Sequence, residues 1–197
     1  MNIKTQKSNT KQQDKSTLLA SRVSFGKKGF WKCCGEILLV MAAVHVLMNY
    51  IIISAYIPTE SMKNTIMPDD RVLGIRFLNN YRRGDIIIFP DPEGSGNHLI
   101  KRIVGLPGDT LEIKEGCNGY AVYINGEQLQ ETYLPERMEI EENLAIKVPV
   151  GGYFLMGDNR NQSYDARYWE KKIVFSEQIT GKVLVRYWPL KRMGVLK

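Results

Sequence analysis

Residues Ile37–Ile57 read ILLVMAAVHVLMNYIIISAYI, and Pro58-Thr59-Glu60-Ser61-Met62 follows without an intervening spacer. No formally charged side chain interrupts the run, and about 20 apolar residues suffice for a helix to cross a bilayer. The run is longer than the roughly 7–15 apolar residues of a cleavable secretory leader, and only Ser54 and Ala55 near its end are small. It therefore reads as an anchor that is kept. Ser61 then lies within a few residues of a lipid surface, which ties any chemistry it performs to something in the membrane.

Charge gives the anchor a direction. Lys4, Lys7, Lys11, Lys15, Arg22, Lys27, Lys28 and Lys32 precede the run, against only Asp14 and Glu36. Removing those eight bases and two acids from totals of 27 and 21 leaves 19 of each sign beyond the run. Lys and Arg at one end of a spanning helix hold that end in the cytoplasm. The expected organisation is a basic cytoplasmic tail (1–35), an anchor helix (36–56) and an extracytoplasmic domain (57–197). Because the whole basic excess of +6 sits in the tail, the domain offers no phosphate-binding footprint and no nucleic-acid partner is expected.

Beyond the anchor the chain reads as strands. Segments 71–77, 85–89, 98–104, 110–113, 120–124, 153–156 and 181–187 are short and rich in β-branched or aromatic residues. Gly, Pro and Asn clusters separate them. Asn125-Gly126 between apolar runs predicts a type I′ hairpin. No helical pattern alternates with the strands, so the expectation is a mostly β protein. Residues 130–148, with Glu136, Glu139, Glu141 and Glu142, read as an acidic excursion from that core. Cys33 and Cys34 fall before the anchor and Cys117 after it, which builds neither a disulfide framework nor metal-ligand spacing. No metal and no cofactor is expected.

A serine needs a base before it is a nucleophile. His98 is one candidate outside the anchor. Lys101 is the other, in the apolar strand His98-Leu-Ile-Lys101-Arg-Ile-Val104. A lysine buried among apolar side chains loses the advantage of its charge, and its neutral amine can accept a proton. Alternation puts Leu99, Lys101 and Ile103 on one face, and His98, Ile100, Arg102 and Val104 on the other.

Four segments occur in order: Ile57-Pro-Thr-Glu-Ser61-Met62-Lys-Asn-Thr-Ile66, Arg83-Gly-Asp-Ile86-Ile-Ile-Phe89, Lys101-Arg-Ile-Val-Gly-Leu-Pro-Gly-Asp109 and Gly157-Asp-Asn-Arg-Asn-Gln-Ser163-Tyr-Asp165-Ala-Arg167. Together, over roughly residues 36–192, they resemble the ordered boxes of the bacterial type I signal peptidases, membrane-bound serine proteases that release exported proteins. The resemblance implies an antiparallel β-sheet or barrel-like catalytic domain behind one transmembrane helix, in the bacterial plasma membrane. It implies Ser61 as nucleophile and Lys101 as general base. Thr59 would be an oxyanion donor and Ser163 the hydroxyl that orients the lysine, while Asp158, Asp165 and Arg167 would brace the site. Ile57, Met62, Ile66, Leu99 and Ile100 would line pockets for small residues of a signal peptide. The implied partners are signal peptides of exported preproteins and the bilayer. Trp188 and its neighbours Tyr187, Pro189 and Leu190 suit either the membrane interface, where aromatic rings are favoured, or a C-terminal piece of the core. Two positions depart from the family pattern: Asn64 stands where a proline is usual, and Ala166 where a serine is.

Overall fold

The computed structural model describes residues 27–76, 80–116, 119–139 and 143–196. The basic tail as far as residue 26, Phe77, Asn79, Cys117, Glu141 and Glu142 lie outside the described residues. The described chain divides into two units, one ending at Val46 and the other beginning at Leu47.

The first unit is helix α1 (Lys27–Val46). A π-helical turn, Leu47–Ile51, follows it in sequence. Gly29–Ile51 is a 23-residue helical stretch of mean hydropathy 1.7 with none of its apolar window buried in protein. At 1.5 Å per residue it is about 34 Å long, enough for a hydrocarbon layer of about 30 Å. Trp31, Leu38, Leu39, Val40 and Met41 all face outward. An apolar surface this continuous is not left to water in a soluble protein.

The expected helical anchor through residue 56 needs correction at its end. Ile52–Tyr56 is a strand, β1, paired antiparallel with β2 (Arg71–Ile75) from Ile52↔Ile75 to Tyr56↔Arg71. A short apolar run is equally compatible with a buried strand and a helix. Here the β-branched Ile52-Ile53 pair and the burial of Ile53 in the domain core favour the strand.

The second unit is built on two antiparallel sheets. Its remaining strands are β3 (Ile86–Pro90), β4 (His98–Gly105), β5 (Thr110–Gly116), β6 (Gly119–Ile124), β7 (Glu127–Gln128), β8 (Leu144–Lys147), β9 (Gly152–Met156), β10 (Val174–Phe175), β11 (Gly181–Trp188) and β12 (Gly194–Val195). The large sheet runs β1-β2-β11-β3-β4-β9-β10, with β12 on β11, and the small one runs β7-β6-β5-β8. Each face of β3 meets its own core. Ile87 and Phe89 join a cluster with Ile103, Leu111, Phe154 and Trp169; Ile86 and Ile88 join one with Ile53, Ile57, Met62 and Ile66. That is the period-two alternation of a strand covered on both sides.

The hairpin between β6 and β7 turns at Asn125 (φ 53°) and Gly126 (φ 90°), two left-handed residues in succession, as a type I′ turn demands. The acidic segment is less of an excursion than its charge suggests. Leu144–Lys147 is strand β8, paired with β5, and Met138 is buried and bridges to Tyr120. Alternating half-buried Leu144 and Ile146 supply the apolar face that the glutamates just before them obscure in the sequence.

Candidate active site

Ser61 sits in the connection between β1 and β2, and its neighbours fix where it points. Met62 and Ile66 are sealed in the core, and short turns (Lys63 N–H to Glu60 O, 2.9 Å; Ile66 N–H to Met62 O, 2.8 Å) wrap the backbone around them. Asn159 closes the other side, its N–H donating to Ser61 O at 3.0 Å and its side-chain amide to Glu60 O at 3.1 Å. The hydroxyl is left partly open.

Lys101 lies on β4 opposite Ile87 of β3. Its side chain is 4% exposed, and Lys101 Nζ is 2.9 Å from Ser61 Oγ. Its pKa falls from the ordinary 10.5 to about 8: burial is the main cause and Arg167 adds to it, while Asp165, Asp158 and Asp91 oppose the fall. A neutral amine at that distance accepts the hydroxyl proton; a charged one donates to the oxygen instead. Thr59 Oγ1 is 3.4 Å from Ser61 Oγ, on the same turn.

Two buried ion pairs frame these groups. Asp158 takes a fork from Arg102 (Nε to Oδ1, 2.8 Å; Nη2 to Oδ2, 2.6 Å) and a hydrogen bond from Thr65 Oγ1. Asp165 holds Arg167 (Nε to Oδ1, 2.8 Å) and accepts from Gly157 N–H at 2.9 Å. Alternation sets Arg102 beside exposed His98 and so hides its role. An arginine within an apolar strand was the available signal, since a charge 1% exposed requires a partner.

Some expected placements differ. Ser163 is buried, but its Oγ has no hydrogen-bond partner among the described residues, so it does not hold the Lys101 amine here. It packs on Gly157, where an added Cβ would meet Ser163 Oγ at 2.1 Å and Ser61 O at 2.5 Å. Gly157→Ala is therefore expected to push Ser61 and Ser163 out of place. Among the five residues expected to line substrate pockets, Leu99 and Ile100 keep open surface, whereas Ile57, Met62 and Ile66 are 4%, 1% and 0% exposed. Ile66 packs in the core with Ile53, Ile57, Met62, Ile86 and Ile88. Trp188, 50% exposed, and Leu190, 67% exposed, are surface residues and not part of the core.

Residues 30–188 match the family described as signal peptidase, peptidase S26. A probable signal peptidase I-2 of Synechocystis is 37% identical over 149 residues, which is 72% of this chain and 65% of that protein. Signal peptidase I of Leptolyngbya laminosa is 37% identical over 151 residues, 72% of this chain and 71% of its own length. A crystal structure of a signal peptidase I from Enterococcus faecalis V583 shares 33% identity with a TM-score of 0.45, covering 54% of this chain and 98% of that one. With the family match running through both the apolar helix and the β-domain, and relatives this similar over most of its length, the chain belongs to the signal peptidase family, peptidase S26, the serine endopeptidases that cleave signal peptides from preproteins.

Proposed function

We propose that this chain is a membrane-anchored endopeptidase that cleaves signal peptides from exported preproteins after small residues, with Ser61 as nucleophile and Lys101 as general base. The observation that carries the reading is the 2.9 Å approach of a buried lysine amine, its pKa brought down to about 8, to the hydroxyl of Ser61. Ser61 Oγ attacks the scissile carbonyl carbon while Lys101 Nζ takes its proton. The oxyanion is met by the Ser61 N–H and Thr59 Oγ1, and the ammonium of Lys101 returns the proton to the departing amine. The mature protein leaves with that new N-terminus. Water, deprotonated by Lys101, then releases the signal peptide from the Ser61 ester.

In this reading residues 1–35 lie in the cytoplasm, the apolar helix crosses the bacterial plasma membrane, and the domain from residue 57 lies outside, as the basic bias of the tail favours. Exposed Trp188 and Leu190 suit the lipid–water interface. Asp158, Asp165 and Arg167 hold the site together without touching substrate.

The test is cleavage of a purified preprotein by the full-length chain in detergent, with the released protein's new N-terminus sequenced. Cleavage after an Ala-x-Ala-like site supports the proposal; an intact preprotein refutes it. The same assay carries a pH signature. Below its pKa Lys101 is an ammonium without a lone pair, so kcat/KM is expected to fall about tenfold per pH unit on the acid side and to level off above an inflection near 8. A flat profile between pH 6 and 9 counts against Lys101 as base. Removing one oxyanion donor costs about 10²–10³ in kcat elsewhere. Thr59→Val should show a loss of that order with KM little changed; equal losses in binding and turnover would place Thr59 in substrate binding instead.

A further inference from the structure

The segment Glu131–Tyr133, on the connection from β7 to β8, supplies no group to the chemistry above, yet it grips both loops that build the site. On one side Arg160 Nη1 donates to Glu131 Oε2 at 2.8 Å and Arg160 Nη2 donates to Oε1. Both side chains are almost wholly buried, 1% and 6% exposed. Arg160 Nε donates to Gly157 O at 3.0 Å. The loop carrying Asn159 and Ser163 is thus fastened to Glu131, and Asn159 in turn holds the peptide of Ser61.

On the other side Tyr133 O accepts from Asn64 Nδ2 at 2.8 Å, in the same turn as Ser61. The Tyr133 ring lies over the Arg102 guanidinium, 4.0 Å from its carbon, and the Tyr133 hydroxyl donates to Glu131 at 2.6 Å. Asn64 has φ 83°, which asparagine tolerates and which proline, locked near −65°, cannot reach. Asn64 thus takes a backbone conformation that proline could not and supplies the donor that Tyr133 O accepts.

We propose that Glu131, Tyr133 and Asn64 form a positioning clasp through which the small sheet sets the approach of Ser61 to Lys101; this rests on the peptidase reading of that pair. None of the three is a catalytic residue. They act by holding the Ser61 turn and the 157–163 loop at one separation.

The test uses the full-length chain in detergent and a preprotein that the wild type cleaves, with kcat and KM resolved separately well below the melting temperature. Asn64→Gly keeps the left-handed backbone and removes the donor. It should lower kcat about tenfold, leave KM within about twofold, and shift Tm by no more than about 2 °C. Glu131→Gln should lower kcat by about 10²-fold through displacement of Ser61. Because both residues serve one device, the double variant should lose less than the product of the single losses. Asn64→Pro should lose at least as much as Asn64→Gly. Wild-type kcat in Asn64→Gly or Asn64→Pro, losses that multiply in the double variant, or losses that track the folded fraction would each overturn the clasp while leaving the peptidase reading intact. A wild type that cleaves no preprotein overturns that reading first.

Discussion

Lys101→Met should abolish preprotein cleavage, lowering kcat by about 10⁴-fold or more, and at the same time make the folded protein more stable. The two effects share a cause. The lysine sits 4% exposed with its pKa lowered from 10.5 to about 8, mainly by burial. Below pH 8 the folded protein carries a buried ammonium that the unfolded chain solvates better. That cost is fully present below pH 8, fades as pH rises, and is gone above about 10.5. Methionine fills similar space without charge, so at pH 7 the variant should gain on the order of 3 kcal/mol. Asp158 and Asp165 keep their arginines and are not left unpaired. Ser61→Ala provides the contrast, with the same loss of cleavage and no comparable gain. Denaturant titration at pH 7 and pH 10 measures both terms. A Lys101→Met protein that is less stable at pH 7, or that cleaves at more than a few per cent of the wild-type rate, contradicts this assignment.

Asp158→Ala should be the most damaging single change to the fold of the site. It removes both acceptors of the Arg102 fork and the acceptor of Thr65, in a place where Arg102 is 1% exposed and Asp158 0%. Breaking a buried pair by deleting one partner leaves an uncompensated charge and costs about 3–5 kcal/mol. For a domain of this size that is a fall in Tm of roughly 10–15 °C. Thermal unfolding by circular dichroism checks it. A change under about 1 kcal/mol would mean that water reaches Arg102 and that the pair does not brace the Ser61 turn. Asp165→Ala, which strips Arg167 in the same way, should behave alike but act on the 157–167 loop.

The strands were readable because their signals are local. β-Branched runs bounded by Gly, Pro and Asn place β3, β4, β6, β9 and β11 to within a residue or two, and Asn125-Gly126 announces its turn. Two features resisted for physical reasons. Ile52–Tyr56 continues an apolar run without a break, and its pairing with β2 and the burial of Ile53, neither of them visible in the run itself, make it a strand. Glu131 looks like part of a solvated acidic stretch until the buried Arg160 arrives to neutralise it.

The chemical groups were legible to different depths. Ser61 stood out from its place just beyond the apolar run, whereas Lys101 in its strand alone reads more readily as an edge lysine reaching solvent, and only the four ordered boxes of the family resemblance singled it out. Arg102 and Asn159 did not stand out, because their partners lie far along the chain and hydrogen bonds leave no periodicity in a sequence. Ser163 was expected to orient the lysine through the family pattern, yet its hydroxyl meets Gly157 and no acceptor. Asn64 reads as a departure of unknown effect until its φ and its donor to Tyr133 give it a place.

The central claim is that Lys101 makes an ester-forming nucleophile of Ser61, and the covalent intermediate tests it most directly. The full-length protein in detergent is treated at pH 8 with an acylating active-site inhibitor, digested and mapped by mass spectrometry, beside Ser61→Ala and Lys101→Met. The expected result is one stoichiometric acyl group on Ser61 in the wild type and none in either variant within the same time. An adduct on another residue, or Ser61 acylated at the wild-type rate without Lys101, would contradict it.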